Sequence, residues 1–166
     1  MAHLCQNAQI VPITVPFDVG GGAMTGDWVS MENHNHCALI FCADIGLANH
    51  DPTLTVLQAT ANDGTGSKAL NFTEVYQKEG ATAINAVGTF TKVSGQSDNT
   101  YSSATGGENE QLIVIEIDAH NLDVANGFKF VSMTVADVGS AGKLICVLAI
   151  LTEPRYGQEV IATALA

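Results

Sequence analysis

Apolar residues recur along this chain mainly with a period of two, the repeat of a strand with one face in a core, and not with the 3.6 of a helix. In residues 112–118, Ile113, Ile115 and Ile117 fall on one face and Val114, Glu116 and Asp118 on the other. Residues 129–135 alternate likewise, with Val131, Met133 and Val135 opposite Phe130, Ser132 and Thr134. Residues 144–151 are apolar throughout, few in number and rich in branched side chains, which predicts a central strand buried on both faces. A buried strand is predicted over 37–42, and further strands over 28–31, 53–61, 72–77 and 89–93. In 10–15, Val11, Ile13 and Val15 share a face while Pro12 and Pro16 lie in the opposite register. Proline cannot donate to a ladder, so this segment is expected to be an edge strand or an arm.

Turn signals separate these runs. Gly20-Gly21-Gly22 sets the N-terminal segment apart from the body. Asn62-Asp63-Gly64-Thr65-Gly66 supplies glycines where a tight turn needs positive φ. Residues 94–107 form a long polar stretch, expected to be an exposed loop. Residues 137–142 join two strong strands and suggest a hairpin, and Asn126-Gly127 marks another turn. Helix is confined to one expected turn within 119–125. About eight short strands with turns between them predict an all-β fold, an antiparallel β-sandwich or jelly roll with an N-terminal arm. The expected organisation is an arm and glycine hinge over 1–22, a sandwich domain over 23–157 and a tail over 158–166.

Composition narrows the partners. Of the 166 residues 46% are hydrophobic and only 14% charged, well under the usual quarter or so. The 17 acidic residues exceed the 6 basic ones, for a net charge of −11. Phosphate binding needs a basic patch, so nucleic acid is disfavoured as a partner, and an anionic membrane surface equally. The longest apolar run, 144–151, falls short of the roughly 18 residues of a spanning helix. The N-terminus shows no basic stretch followed by an apolar one, so no secretory signal is expected.

Candidate chemistry is sparse. Cys5, Cys37, Cys42 and Cys146 match no zinc or redox spacing and are expected to be free thiols acting as small hydrophobes. His34-Asn35-His36, with His50 or Cys37 as a third ligand, lacks a convergent set of three or four, and a polar turn is the expectation, with no metal and no cofactor. Asp63–Lys68 lacks the phosphate-loop spacing and its strand-to-helix context. The acidic groups at 97–99 and 108–110 lack calcium-loop spacing. Glu116 and Asp118 share a face as solvated carboxylates. No Ser–His–carboxylate set is legible near Ser67 or His120. Asn71-Phe72-Thr73 has the form of a glycosylation sequon, and Tyr101 is the one aromatic residue in the long loop. No catalytic residue is expected, and the chain is not expected to be an enzyme.

Several segments taken together carry a resemblance: Asp27-Trp28-Val29-Ser30-Met31, Leu57-Gln58-Ala59-Thr60, residues 64–73, Ile115-Glu116-Ile117-Asp118, residues 122–129, and Ala149 through Glu153-Pro154-Arg155-Tyr156-Gly157. The pattern, over about 28–156, resembles the small head structural proteins of tailed bacteriophages, among them capsid decoration or cement proteins with a jelly-roll or β-sandwich fold. The resemblance implies a non-enzymatic role in a virion assembled in the host cytoplasm, and the acidic balance, which packaged DNA would repel, places the chain on the capsid surface as an expectation. The implied partners are the major capsid protein and further copies of the chain, as a dimer or trimer. The interface residues nominated are Ile10, Val11, Ile13 and Val15 of the arm, Trp28, and Arg155 with Tyr156. The apolar tail 160–166 is expected to dock on a subunit or partner. The alternatives are a receptor- or glycan-binding sandwich module, a head-completion or tail component, and last a cupin-like metalloenzyme, for which the histidines are too few.

Overall fold

Two long apolar strands, β4 (His34–Ala43) and β12 (Leu144–Pro154), lie side by side and antiparallel, with Leu39 opposite Ala149 and Phe41 opposite Val147. The structure, a computed structural model, describes residues 4–80, 89–139 and 142–155. Around this pair a six-stranded antiparallel sheet runs in the order β1 (Gln9–Asp18), β12, β4, β10 (Glu110–Asp118), β7 (Glu74–Gly80), β8 (Thr91–Lys92). The second sheet is built on β11 (Phe130–Val135) and β5 (Leu54–Ala59). Four two-residue strands flank them: β2 (Met24–Thr25) and β3 (Val29–Ser30) pair with β11, while β6 (Lys68–Ala69) and β9 (Thr100–Tyr101) pair with β5. The architecture is the expected all-β sandwich, with twelve strands among the described residues in place of about eight. The three strands that the pattern does not show, β2, β6 and β9, are too short to carry a period.

Each sheet turns its alternate positions inward. Ile113, Ile115 and Ile117 of β10, Leu39 and Phe41 of β4, and Val147, Ala149 and Leu151 of β12 meet Leu54 and Val56 of β5 and Val131, Met133 and Val135 of β11, all essentially without exposure. At one end of the sandwich the buried Gln58 donates to the Ala69 carbonyl and accepts from the Asp123 N–H, so its amide is satisfied. Gly26 is required by a close approach: a Cβ there would collide with Ile13 and the Met133 carbonyl.

Of the edge strand or arm expected around residues 10–15, the structure takes the edge strand: residues 9–18 pair within their own chain's sheet, with Val11 opposite Ala149 and two register shifts after Pro12, and are not a free arm. An edge strand tolerates Pro12 and Pro16 because one side of it needs no donors. The hairpin expected at 137–142 is corrected, because β11 lies in one sheet and β12 in the other, the two strands facing one core from opposite sides. β12 is not buried on both faces, for its exposure alternates along its length. The 34–35 region is the start of β4, not a turn. The turn expected within 119–125 is two 3-10 turns, Ala119–Asn121 and Val124–Asn126, and the long loop 94–107 contributes β9. Beyond these, a single helical turn, α1 (Leu4–Asn7), precedes β1. The tail 158–166 lies outside the described residues.

A buried cation ties the loops at one end of the sandwich. Lys143 is 1% exposed, and its ammonium donates to the carbonyls of Asp44 and Gly106 at 2.7 Å each and of Gly107 and Asn109 at 3.3 Å each. Three N–H bonds serve four acceptors, so the two longer contacts are shared.

At the other end His34 is 2% exposed, and neither ring nitrogen has a hydrogen-bond partner among the described residues. Burial lowers its pKa from the ordinary 6.5. The folded imidazole therefore binds fewer protons than the unfolded one below about pH 6.5, and stability declines as pH falls from there through the folded pKa. His34→Leu is expected to remove that part of the acid sensitivity and to leave stability at pH 7 equal or higher by about 1 kcal/mol. Urea titrations of both proteins at pH 7 and pH 5 measure the difference; an unchanged pH dependence refutes it.

Candidate functional site

The outward face of the six-stranded sheet departs from what water dictates. An antiparallel sheet with one face in a core ordinarily shows polar side chains on the other. Here one outward row runs Pro12, Leu148, Ile40, Val114 and Tyr76 across five strands. The row beside it holds Cys146, Cys42, Leu112 and Lys78, and the one on the other side Ile10, Ile150, Ala38 and Glu116. Ile40, Leu112, Val114, Leu148 and Ile150 are half-buried, packed side by side in these rows. Phe90, 43% exposed, extends the face, with the Lys78 ammonium 4.6 Å from its ring centre. With strands about 4.8 Å apart and outward side chains about 6.8 Å apart along them, the patch covers roughly 450 Å². That lies within the 300–600 Å² of the largest patches on monomeric proteins, which are often functional.

The rim is polar and internally paired. His36 bonds Glu116 at 2.9 Å and the Thr152 hydroxyl at 2.8 Å. Lys92 pairs with Glu74 at 2.5 Å, an ion pair that lowers the carboxyl pKa and raises the ammonium's. Lys78 and Lys92 place two cations beside the Glu74 and Glu116 carboxylates on a chain of net charge −11. Two shallow depressions mark it, one of about 330 Å³ lined by Pro16, Cys42, Leu112, Leu144 and Cys146, the other of about 240 Å³ at Tyr76, Phe90, Val114 and Glu116.

The sequence-nominated interface residues are dispersed. Ile10, 44% exposed, belongs to the face. Val11 and Ile13 are core residues, at 2% and 1% exposure, and cannot touch another chain; the shared period that groups them with Val15 is broken by the register shifts of β1, which leave Val15 70% exposed. Trp28 is half-buried against Gly64, holding the 62–66 turn. Arg155 is exposed at the end of the sandwich, where its Nε donates to Asn35 at 2.9 Å beside a 250 Å³ cleft shared with Glu32, Phe128 and Lys129. Tyr156 lies outside the described residues. The centre of the face, Ile40 with Leu148, was not nominated; its signal was the apolar residue at every position of 37–42 and 144–151, which is equally the signature of a strand buried on both sides.

The other motifs resolve into structure. Asp63 accepts the Thr65 N–H at 2.8 Å, which lowers its pKa, in the turn expected there. Lys68 pairs with Asp123. Tyr101 packs on the core and donates to Gln77, its phenol pushed up to about 12 chiefly by burial, so the long loop does not display it to solvent as a stacking platform. All four cysteines are free, and burial raises the Cys37 thiol to about 12. Among the described residues no three His, Cys, Asp or Glu side chains converge as a metal site, and no helix is long and apolar enough to cross a membrane.

No protein-family model and no curated protein sequence matches the chain. Among solved structures, the crystal structure of the SPBc2 prophage-derived protein YomS is similar in fold, with a TM-score of 0.50, 10% sequence identity, and coverage of 89% of this chain and 94% of that one.

Proposed function

We propose that the chain is a non-enzymatic structural protein of a bacteriophage particle, which binds the outside of the capsid and stabilises it by bridging capsid subunits. The observation that carries this reading is the outward apolar face of the six-stranded sheet, rigidly backed by the core and flanked by paired charges. An apolar centre within a polar rim is the anatomy of a protein–protein interface. With its rim, a patch of this size supplies the centre of a standard interface of about 800 Å² per partner. The prophage-derived neighbour supports the setting through shared fold. The acidic surface favours the outside, because packaged DNA repels net negative charge. Copies linked as dimers or trimers gain avidity across equivalent capsid sites.

The test compares particles with and without the protein. Particles that lack it are expected to release DNA at lower temperature or on transfer to low salt, and added protein to restore them. Equal release curves refute the reading. Electron cryomicroscopy of the same particles distinguishes many copies on the shell from a fixed ring at one vertex or along a tail.

A further inference from the structure

Two of the four thiols stand opposite each other. Cys42 of β4 and Cys146 of β12 are direct cross-strand partners, in a register unbroken on either side: Phe41 faces Val147 and Ala43 faces Ile145. Directly opposed residues of antiparallel strands have Cα atoms about 4.5–5.5 Å apart, inside the roughly 4.4–6.8 Å that a disulfide spans. Both thiols are half-buried, and both line the shallow 330 Å³ depression on the outward face. Cys37, on the same strand, faces the core, and Cys5 sits outside the sheet in α1.

We propose that Cys42 and Cys146 are a modification site, a dithiol that closes to an intramolecular disulfide when the folded protein meets a small-molecule disulfide. One cysteine thiolate attacks the small disulfide, forming a mixed disulfide and releasing one thiolate. The second cysteine, after losing its proton, attacks the protein sulfur of that mixed disulfide and releases the other. Two protein thiols are oxidised, one small disulfide is reduced to two thiols, and the two protons pass to them. The bond ties β4 to β12, the strands at the middle of the larger sheet, across a loop of roughly 100 residues, where chain-entropy restriction is large. Glutathione keeps such a pair reduced in a cytosol, and it closes in an oxidising medium. Burial, and then the neighbouring Cys146, push the Cys42 thiol up to about 11, so closure at neutral pH is slow and quickens as pH rises.

The test uses the full chain carrying Cys5→Ser, which removes the exposed thiol that would cross-link copies. The folded protein is incubated with oxidised glutathione at about pH 8.5, then unfolded and alkylated. The expected product has lost two hydrogens and takes up one alkyl group, at Cys37, and its digest contains a peptide pair joined through Cys42 and Cys146. Adding Cys146→Ser is expected to abolish the joined pair. Separate glutathione adducts on Cys42 and Cys146, or full alkylation of both after an incubation that consumes Cys5 in the unsubstituted chain, overturns the proposal. The outcome does not depend on capsid binding, so this site and the proposed function fail or stand separately.

Discussion

Lys143→Met is expected to destabilise the fold by about 3–5 kcal/mol, the range for removing one partner of a buried charged cluster, and to lower Tm by roughly 10–15 °C for a chain of this size. The ammonium donates to the Asp44, Gly106, Gly107 and Asn109 carbonyls together, and of these Gly107 also accepts the Gly46 N–H at 2.9 Å. Methionine fills nearly the same volume but donates nothing, so dipoles aimed at a cation are left facing sulfur and one another. The backbone cannot swing aside easily. A Cβ at Gly107 would collide with the Leu47 carbonyl, and the Gly107 N–H is held by Asp51 at 2.7 Å. Burial lowers the Lys143 pKa, and Asp44, Asp51 and Glu79 offset part of that effect. Lys143→Arg is not expected to rescue, because a planar guanidinium does not fit a compact point charge's set of acceptors. Asp44→Asn is expected to cost only about 1 kcal/mol, since Asp44 contributes its carbonyl, which Asn retains, and its carboxylate is exposed. Urea unfolding of the three variants measures the series. A loss under about 1 kcal/mol for Lys143→Met refutes the role assigned to the ammonium.

This keystone shows where the sequence stops being legible. The inward faces of β10 and β11 follow from period two alone, because Ile113, Ile115, Ile117, Val131, Met133 and Val135 alternate with polar or smaller neighbours. Lys143 carries no such mark: a lysine beside an apolar run ordinarily lies in water, and only the convergence of loops far apart in sequence makes it a buried donor. The same limit governs the candidate face. Local pattern reports that 37–42 and 144–151 shun water on both sides, and burial within one chain and burial between chains look alike at that level. The sheet order adds what the pattern lacks, by placing β4 and β12 mid-sheet with one face on the core and the other half-buried. In β1 the period holds for Val11 and Ile13 and fails at Val15 for a related reason: register shifts are set by pairing with β12, so the face of Val15 does not follow from that of Val11. The link between β11 and β12 looked like a hairpin because a short polar turn joins two strong strands, and which sheet each strand enters is a long-range fact.

Ile40→Glu, at the centre of the outward face, is expected to weaken binding to capsids at least about 100-fold, a loss of roughly 2.7 kcal/mol or more, while changing the stability of the free protein by about 1 kcal/mol. In the free protein the new carboxylate stays hydrated, because Ile40 is only half-buried. In a docked complex it would be taken from water opposite Leu148 and Val114, with no cation in the row to pair with it. The adjacent Phe41 provides the contrast. It points to the other side of the same strand with no exposure, so Phe41→Ala is expected to cost about 3–5 kcal/mol of stability through lost burial and the cavity left behind. Strand geometry thus separates the two effects at neighbouring positions, one acting on binding and one on folding. Copies retained per particle after mixing each variant with particles that lack the protein, together with urea midpoints, measure both quantities. Full occupancy by Ile40→Glu alongside loss of occupancy by Arg155→Ala would move the contact from the sheet face to the end of the sandwich, where Arg155 lies beside Glu32, Phe128 and Lys129.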